Sequence, residues 1–195
     1  MLFNYLIVSQ FNVLPVLYYY NWEIPWRWGN VVPDIYEIGS QLIICFIVED
    51  FMFYCSHRTL HMKKPFNLYA YAHKQHHEHI HSVSITGEDV HWVEFYLTNI
   101  GIFAGPMLLG SKMHYWTFSV WGLARMIQAQ DAHCGYEFPW SFFGLFPLSA
   151  NATYHEFHHT NNCGNYSSFC TIWDTVFDTS LNYYEKFPDF TQESN

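Results

Sequence analysis

The stretch HKQHH at residues 73–77 returns as HEFHH at residues 155–159, in a chain whose other long stretches are almost as apolar as lipid. Half of the 195 residues are hydrophobic, 21% are aromatic and only 13% are charged. That is about half the charge of an ordinary soluble protein. In a helix, residues three and four apart share a face, so His73 lies beside His76 and His77, and His155 beside His158 and His159. His57 and His61, four apart, make a third such pair. Adjacent histidines diverge by about 100° around a helix, which lets His76 and His77 serve neighbouring metals while His73 supports one of them. Eight imidazoles exceed the four ligands of a tetrahedral zinc and suit two metal ions. His91 and His133, each at the end of an apolar segment, raise the set to ten.

The apolar segments decide how those histidines can meet. Four stretches are candidates to cross a bilayer: Met1 to Tyr20, Ile35 to about Ser56, Trp92 to Leu109 and Met113 to Ala129. Their lengths approach the roughly 17–25 residues of a spanning helix. Tyr18 to Tyr20 with Trp22, Trp26 and Trp28 resemble an interfacial aromatic belt. Gly101 and Gly105 form a GxxxG pattern that permits a close helix crossing. If the four segments form two hairpins, every histidine except His114 falls on one side of the membrane. Arg58, Lys63, Lys64 and Lys74 lie on that same side, against Arg27 and Lys112 opposite, which places it in the cytosol. The expectation is an all-α integral membrane protein: about four transmembrane helices in two hairpins, bearing a cytosolic histidine-rich helical cap. Residues 1–195 read as one domain, with the histidine-rich parts at 57–91 and 130–185.

Other classes are excluded by composition. Seventeen acidic against eight basic side chains give a net charge of −9, which leaves no basic footprint for nucleic acid. Five cysteines without a CxxC pair argue against a disulfide scaffold or a thiolate metal site, and read as small buried hydrophobes. No secretory leader pattern precedes the first apolar stretch, so it is expected to be retained in the mature chain. The sequons at Asn151 and Asn165 fall on the proposed cytosolic side and are expected to be unused.

Imidazole alone does not choose the metal. A histidine-rich centre beside deep apolar helices meets lipid carbon, however, and breaking an unactivated C–H bond needs O2 on a redox metal, which zinc does not supply. Iron is the expectation. Neutral imidazoles leave two such ions strongly positive, so Glu49, Asp50, Glu78, Asp131 and Glu156 are candidates to orient ring N–H groups or offset charge. Phe95, Phe103, Phe118 and Trp121, with Leu97 and Leu123, are candidates to line a lipid cavity. Arg125, costly at the end of an apolar helix, is expected to pair with Asp131 or Glu94.

The strings EDFMFYCSHRTLH (49–61), HKQHHE (73–78) and HEFHH (155–159) together resemble the histidine boxes of the membrane fatty-acid hydroxylase and sterol desaturase superfamily. DVHWVE (89–94), QDAHCGYEFPW (130–140) and GNYSSFCTIWDTVFDT (164–179) narrow the resemblance to the C-4 methylsterol oxidases. The similarity covers roughly residues 35–185. It implies an endoplasmic-reticulum enzyme with two Fe ions, O2 as cosubstrate and electrons drawn indirectly from NAD(P)H. Cytochrome b5 and its reductase, and a sterol C-4 demethylation complex, are the implied partners. The implied reaction is oxidation of a sterol 4α-methyl group to the carboxylic acid. The boxes fall on His57 and His61, on His73, His76 and His77, and on His155, His158 and His159, with His133 and His91 as further ligands. Ala129 stands where fatty-acid hydroxylases often carry a histidine, and His91 is expected to supply the missing donor. The N-terminal part is shorter than in typical members. Hydroxylation or desaturation of another membrane lipid, and a noncatalytic metal-binding membrane subunit, remain open beside the sterol reading.

Overall fold

A computed structural model describes residues 1–146 and 148–181; the last four positions of the 130–185 histidine-rich part lie outside the described residues. A single wide turn at Asn4–Val8 runs into helix α1, Ser9–Tyr19. Then come α2, Ile35–Leu60, α3, Trp92–Leu109, and α4, Tyr115–Ala132. Two short helices, α5 at Ala152–Asn161 and α6 at Ile172–Val176, complete the order. The described residues contain no strand.

Local chemistry fixes the helix ends. The Asp34 carboxylate accepts from the backbone N–H groups of Tyr36 and Glu37, both at 2.9 Å, and so starts α2. His91, His114 and Asn151 cap α3, α4 and α5 in the same way. α2 continues past Ser56 and therefore carries His57 on its last turn. At 26 residues it is roughly 39 Å long, more than the ~30 Å of a bilayer's hydrocarbon core. α4 starts two residues later than expected, because Arg27 pairs its backbone with Met113 and Tyr115 ahead of the helix. The α2 span and Trp92–Lys112 are long and apolar enough to cross a membrane. α4 carries Arg125, Gln128 and Asp131 and is more polar.

The four longer helices run alternately up and down. Asn4 Nδ2 donates to the Val90 carbonyl at one end of α1, and Tyr20 reaches the Met107 carbonyl at the other. The loops before α2 and before α4 meet at the end that carries only His114 of the histidines, where Trp26 stacks on Phe118 at 3.8 Å and Trp28 on Tyr115 at 4.1 Å between ring centroids. α2 and α3 cross closely at the GxxxG pattern. A Cβ on Gly105 would stand 2.6 Å from Cys45 Cα, and one on Gly101 would stand 3.3 Å from Met52 Cβ.

Arg125 lies between α4 and α2, and its partner is neither Asp131 nor Glu94. Its Nε donates to Glu49 Oε1 at 2.7 Å, both groups being buried, while its guanidinium also reaches Gln128. Depth explains the difference: Glu49 faces α4 one helix away, whereas Asp131 has turned toward Ser141. Removing one member of such a buried pair strands the other charge, at about 3–5 kcal/mol. Of the cysteines, Cys45 and Cys170 are buried as expected, whereas Cys55 and Cys163 are exposed and all five are free. Asn165 is buried, with its amide hydrogen-bonded to Leu181.

The contact at Gly105 involves backbone, which cannot rotate away. Gly105→Ala is expected to lower the apparent melting temperature in detergent by the equivalent of about 1–3 kcal/mol. At Gly39 a Cβ meets nothing within 4 Å. Gly39→Ala is therefore expected to be neutral or to stabilise by up to about 1 kcal/mol in the same thermal measurement.

Candidate metal centre

The end of α2, the segment before α3, the end of α4 and the whole of α5 bring nine imidazoles together in two groups. His57, His61, His73, His77 and His158 form one; His76, His133, His155 and His159 form the other. Within each group the facing ring nitrogens lie within 4.8 Å of one another. His73 Nε2 is 2.8 Å from His61 Nε2, and His61 Nε2 is 3.1 Å from His158 Nε2. In the second group His155 Nε2 is 2.9 Å from His133 Nε2 and 3.1 Å from His159 Nε2. The groups adjoin, with the His77 and His159 ring centroids 4.7 Å apart.

Adjacent histidines divide between the groups. His76 and His77 separate, as do His158 and His159, while His73 joins His77 and His155 joins His159. In α5 this follows from regular helix geometry. The 73–77 segment is not a regular α-helix: a wide turn at Tyr69–His73 is followed by a tight one at His76–Glu78. The two deviations offset each other, so His73 and His77 still meet, with Nε2 atoms 3.0 Å apart.

The outer ring nitrogens fix which atom faces inward. His57 Nδ1 lies 2.9 Å from the Tyr166 carbonyl, His158 Nδ1 2.6 Å from the Gly164 carbonyl, and His133 Nδ1 2.8 Å from the Ala129 carbonyl. A carbonyl only accepts, so in each case Nδ1 carries the hydrogen and Nε2 presents a bare lone pair. Inward lone pairs at these separations repel one another, and a cation among them removes the repulsion. The donor set thus fits two metal ions, one for the group of five and one for the group of four. Gly87 contributes by omission, since a Cβ there would stand 2.8 Å from His133 Nδ1.

The tenth histidine, His91, is not part of either group. Its Nδ1 accepts from the Val93 backbone N–H as the cap of α3, and its ring packs on Tyr71. The position of Ala129 therefore receives no replacement ring; its carbonyl holds His133 instead. The five acids expected around the centre also act elsewhere. Glu49 pairs with Arg125, and Asp131 accepts from Ser141 at 2.7 Å. Asp50 accepts from the Phe169 and Cys170 N–H groups at 2.7 and 3.3 Å. Glu156 accepts from Ser82 at 3.0 Å and approaches His81, while Glu78 is exposed.

Two acids outside that set support the centre. Glu94 Oε1 lies 2.8 Å from His73 Nδ1, both residues being buried, in a close polar contact off the line of a hydrogen bond. Asp174 accepts from the Tyr166 and Ser167 N–H groups, both at 2.8 Å, and so holds the loop whose carbonyls orient His57 and His158. Asp50 binds the same loop from α2. The DVHWVE string contains Glu94, but nothing in its spacing aims it at His73, and backbone carbonyls leave no mark in a sequence.

A cavity of about 240 Å³ opens beside the second group. His76, His133 and His155, with His57 of the first group, form part of its wall, and Phe53, Phe95 and Met126 are apolar lining. Of the expected lining residues only Phe95 is present. Phe118 stacks on Trp26, Phe103 lies near Phe118, and Trp121 packs in the core and donates to the Ile102 carbonyl. These three sit nearer the opposite end of the helices.

The Fatty acid hydroxylase family model matches residues 42–179. The chain is 37% identical over 155 residues to methylsterol monooxygenase 2-2 of Arabidopsis thaliana, covering 78% of this chain and 56% of that protein. It is 33% identical over 187 residues to methylsterol monooxygenase 1 of Gallus gallus, covering 93% and 61% of the two. A very-long-chain aldehyde decarbonylase of Oryza sativa subsp. indica is 38% identical over 155 residues, covering 78% and 56%. No solved structure matches. The chain belongs to the fatty acid hydroxylase family, and it spans little more than half the length of these curated relatives.

Burial sets the protonation state of the rings. It pushes His61 down to about 2 and His77 to about 3, with neighbouring histidine charges adding to the shift, and His159 likewise to about 2. These folded values lie below the unfolded value of about 6.5, so unfolding takes up protons in acid. The associated stability is complete above about pH 6.5 and is lost as pH falls toward the folded values. Metal-stripped protein is expected to melt at a steady temperature above about pH 7 and at progressively lower ones down to about pH 4, followed by thermal scans. A flat profile across that range contradicts the burial of neutral rings.

Proposed function

We propose that the chain catalyses O2-dependent oxidation of the C-4 methyl group of a sterol intermediate at a non-haem di-iron centre. The observation that carries this reading is the convergence of nine imidazoles, five and four, beside a cavity whose wall combines apolar side chains such as Phe53, Phe95 and Met126 with polar ones such as Arg125 and Gln128. The names of the methylsterol monooxygenase relatives support the substrate class. His57, His61, His73, His77 and His158 would hold one iron, and His76, His133, His155 and His159 the other. When bound, the pair supplies the O2-derived oxidising power that an unactivated C–H bond requires.

The remaining work belongs to the chain. Because His76, His133 and His155 of the group of four and His57 of the group of five all line the cavity, a substrate carbon seated there lies against both groups, with more rings from the group of four. The cavity is smaller than the roughly 300–1,000 Å³ of a site that encloses a whole drug-sized ligand. It therefore takes one end of a lipid, and the rest extends along the helices. Phe53, Phe95 and Met126 pack that end and exclude water. Glu94 holds His73 from outside and offsets one positive charge.

In this reading α1 to α4 cross the bilayer as two hairpins within one domain, and the histidine end faces the cytosol at the endoplasmic reticulum. Their alternating directions and the pairing of the two loops far from the nine clustered histidines support it. Electrons from NAD(P)H arrive through cytochrome b5 and its reductase, within a sterol C-4 demethylation complex. A second reading, oxidation of another membrane lipid, is favoured by the aldehyde decarbonylase relative, whose name specifies a very long chain.

Expression in cells lacking methylsterol oxidase activity tests the sterol reading. The wild-type chain is expected to clear accumulated 4-methylsterols, and His76→Ala, expressed to the same level, to leave them. Clearance of acyl substrates with sterols untouched would select the second reading. Glu94→Gln is expected to weaken metal retention by roughly 10–100-fold. The readout is metal content after dialysis against graded chelator, which does not depend on turnover.

A further inference from the structure

Between α4 and α5 the chain leaves most of its aromatic side chains exposed. Trp140 is 76% exposed, Tyr136 71%, Phe142 65% and Leu145 69%. Over residues 136–146 only Glu137 is charged. Glu137 is exposed, and its carboxylate accepts from Asn151 and from Thr153 Oγ1 at the start of α5. Ser141 Oγ donates to Asp131 Oδ2 at 2.7 Å. Phe143 anchors the middle of the loop against Phe169, with centroids 6.2 Å apart. On the outside, Tyr136, Phe138 and Trp140 stack in sequence at 6.1 and 5.4 Å.

Large apolar side chains exposed side by side with one charge among eleven residues make a patch of the kind that meets lipid or protein. The side-chain bonds of Glu137 and Ser141 and the Phe143 contact tie the loop to the rest of the protein. The preceding helix, α4, also exposes apolar side chains, Leu123, Met126 and Ile127 each being at least half exposed. Tyrosine and tryptophan favour the boundary between acyl chains and headgroups, because each has an apolar body and a polar tip.

We propose that residues Tyr136–Phe146 form an aromatic hook seated in the lipid boundary on the histidine side of the membrane, with Trp140 inserted. The hook begins three residues after His133. Its seating fixes the end of α4, and with it one wall of the cavity, at a set depth relative to the lipid. The proposal rests on the membrane reading of α2 and α3 and does not depend on which lipid is oxidised.

The test uses the full chain reconstituted in vesicles containing lipids brominated on the acyl chain. Tryptophan emission of wild type minus that of Trp140→Phe isolates the signal of Trp140. It is expected to be quenched several-fold by brominated chains and to resist aqueous iodide. Adding Phe142→Trp to the Trp140→Phe variant is expected to restore a lipid-quenched signal. Iodide quenching of the difference signal would overturn the proposal by placing the loop in water. Protection from both quenchers would overturn it equally, by placing protein, such as a second copy of this chain, over the hook. If Trp92 and Trp116 are quenched by brominated chains while the Trp140 signal is not, the hook fails and the membrane reading stands.

Discussion

Nine neutral imidazoles can point their lone pairs at one another only if something holds each ring from behind. In this protein much of that restraint is backbone. The carbonyls of Gly164 and Tyr166 take the outer N–H groups of His158 and His57, and the Ala129 carbonyl takes that of His133. The 164–170 loop can do this because Asp174 grips its N–H groups from α6 and Asp50 grips them from α2. The acids thus act on the centre through the loop that orients its rings. An imidazole fixed in this way has no freedom left to lose when a metal arrives, which is the physical meaning of preorganisation at such a site.

The helices serve the same end. A close α2–α3 crossing needs the missing side chains of Gly101 and Gly105, and it brings Glu94 of α3 to the first group of rings. The Arg125–Glu49 pair ties α4 to α2 below the centre, so that His133 at the end of α4 meets α5 and the 73–77 segment at the right height. Burial of the rings away from water keeps them neutral, and neutrality is what a metal ligand requires.

The sequence made the helices legible because apolar runs and caps act locally. Ile35, Trp92 and the Gly101–Gly105 pattern mark elements that the structure places where the pattern implies. The sorting of His158 from His159 was equally readable, since in α5 it follows from the rotation per residue, whereas His76 and His77 reach the same sorting through a wide and a tight turn that no spacing announces. What escaped was every contact that depends on depth or on backbone. His91 matched a motif position, yet it spends its ring nitrogen on a helix cap. Ala129 looked like a missing ligand, although its carbonyl supports one. Arg125 met Glu49 and not Asp131 or Glu94, because the nearest acid across the interface lay 76 positions away along the chain. Phe103, Phe118 and Trp121 shared an apolar character with Phe95 but sit farther from the rings, and no period in the sequence encodes distance along a helix bundle.

The account depends on metal occupying both gatherings of lone pairs. Protein purified anaerobically from iron-supplied cells should contain two iron ions per chain by elemental analysis, with His158→Ala and His155→Ala each lowering the content toward one. A single ion per chain, or a content of two that neither substitution changes, would contradict it.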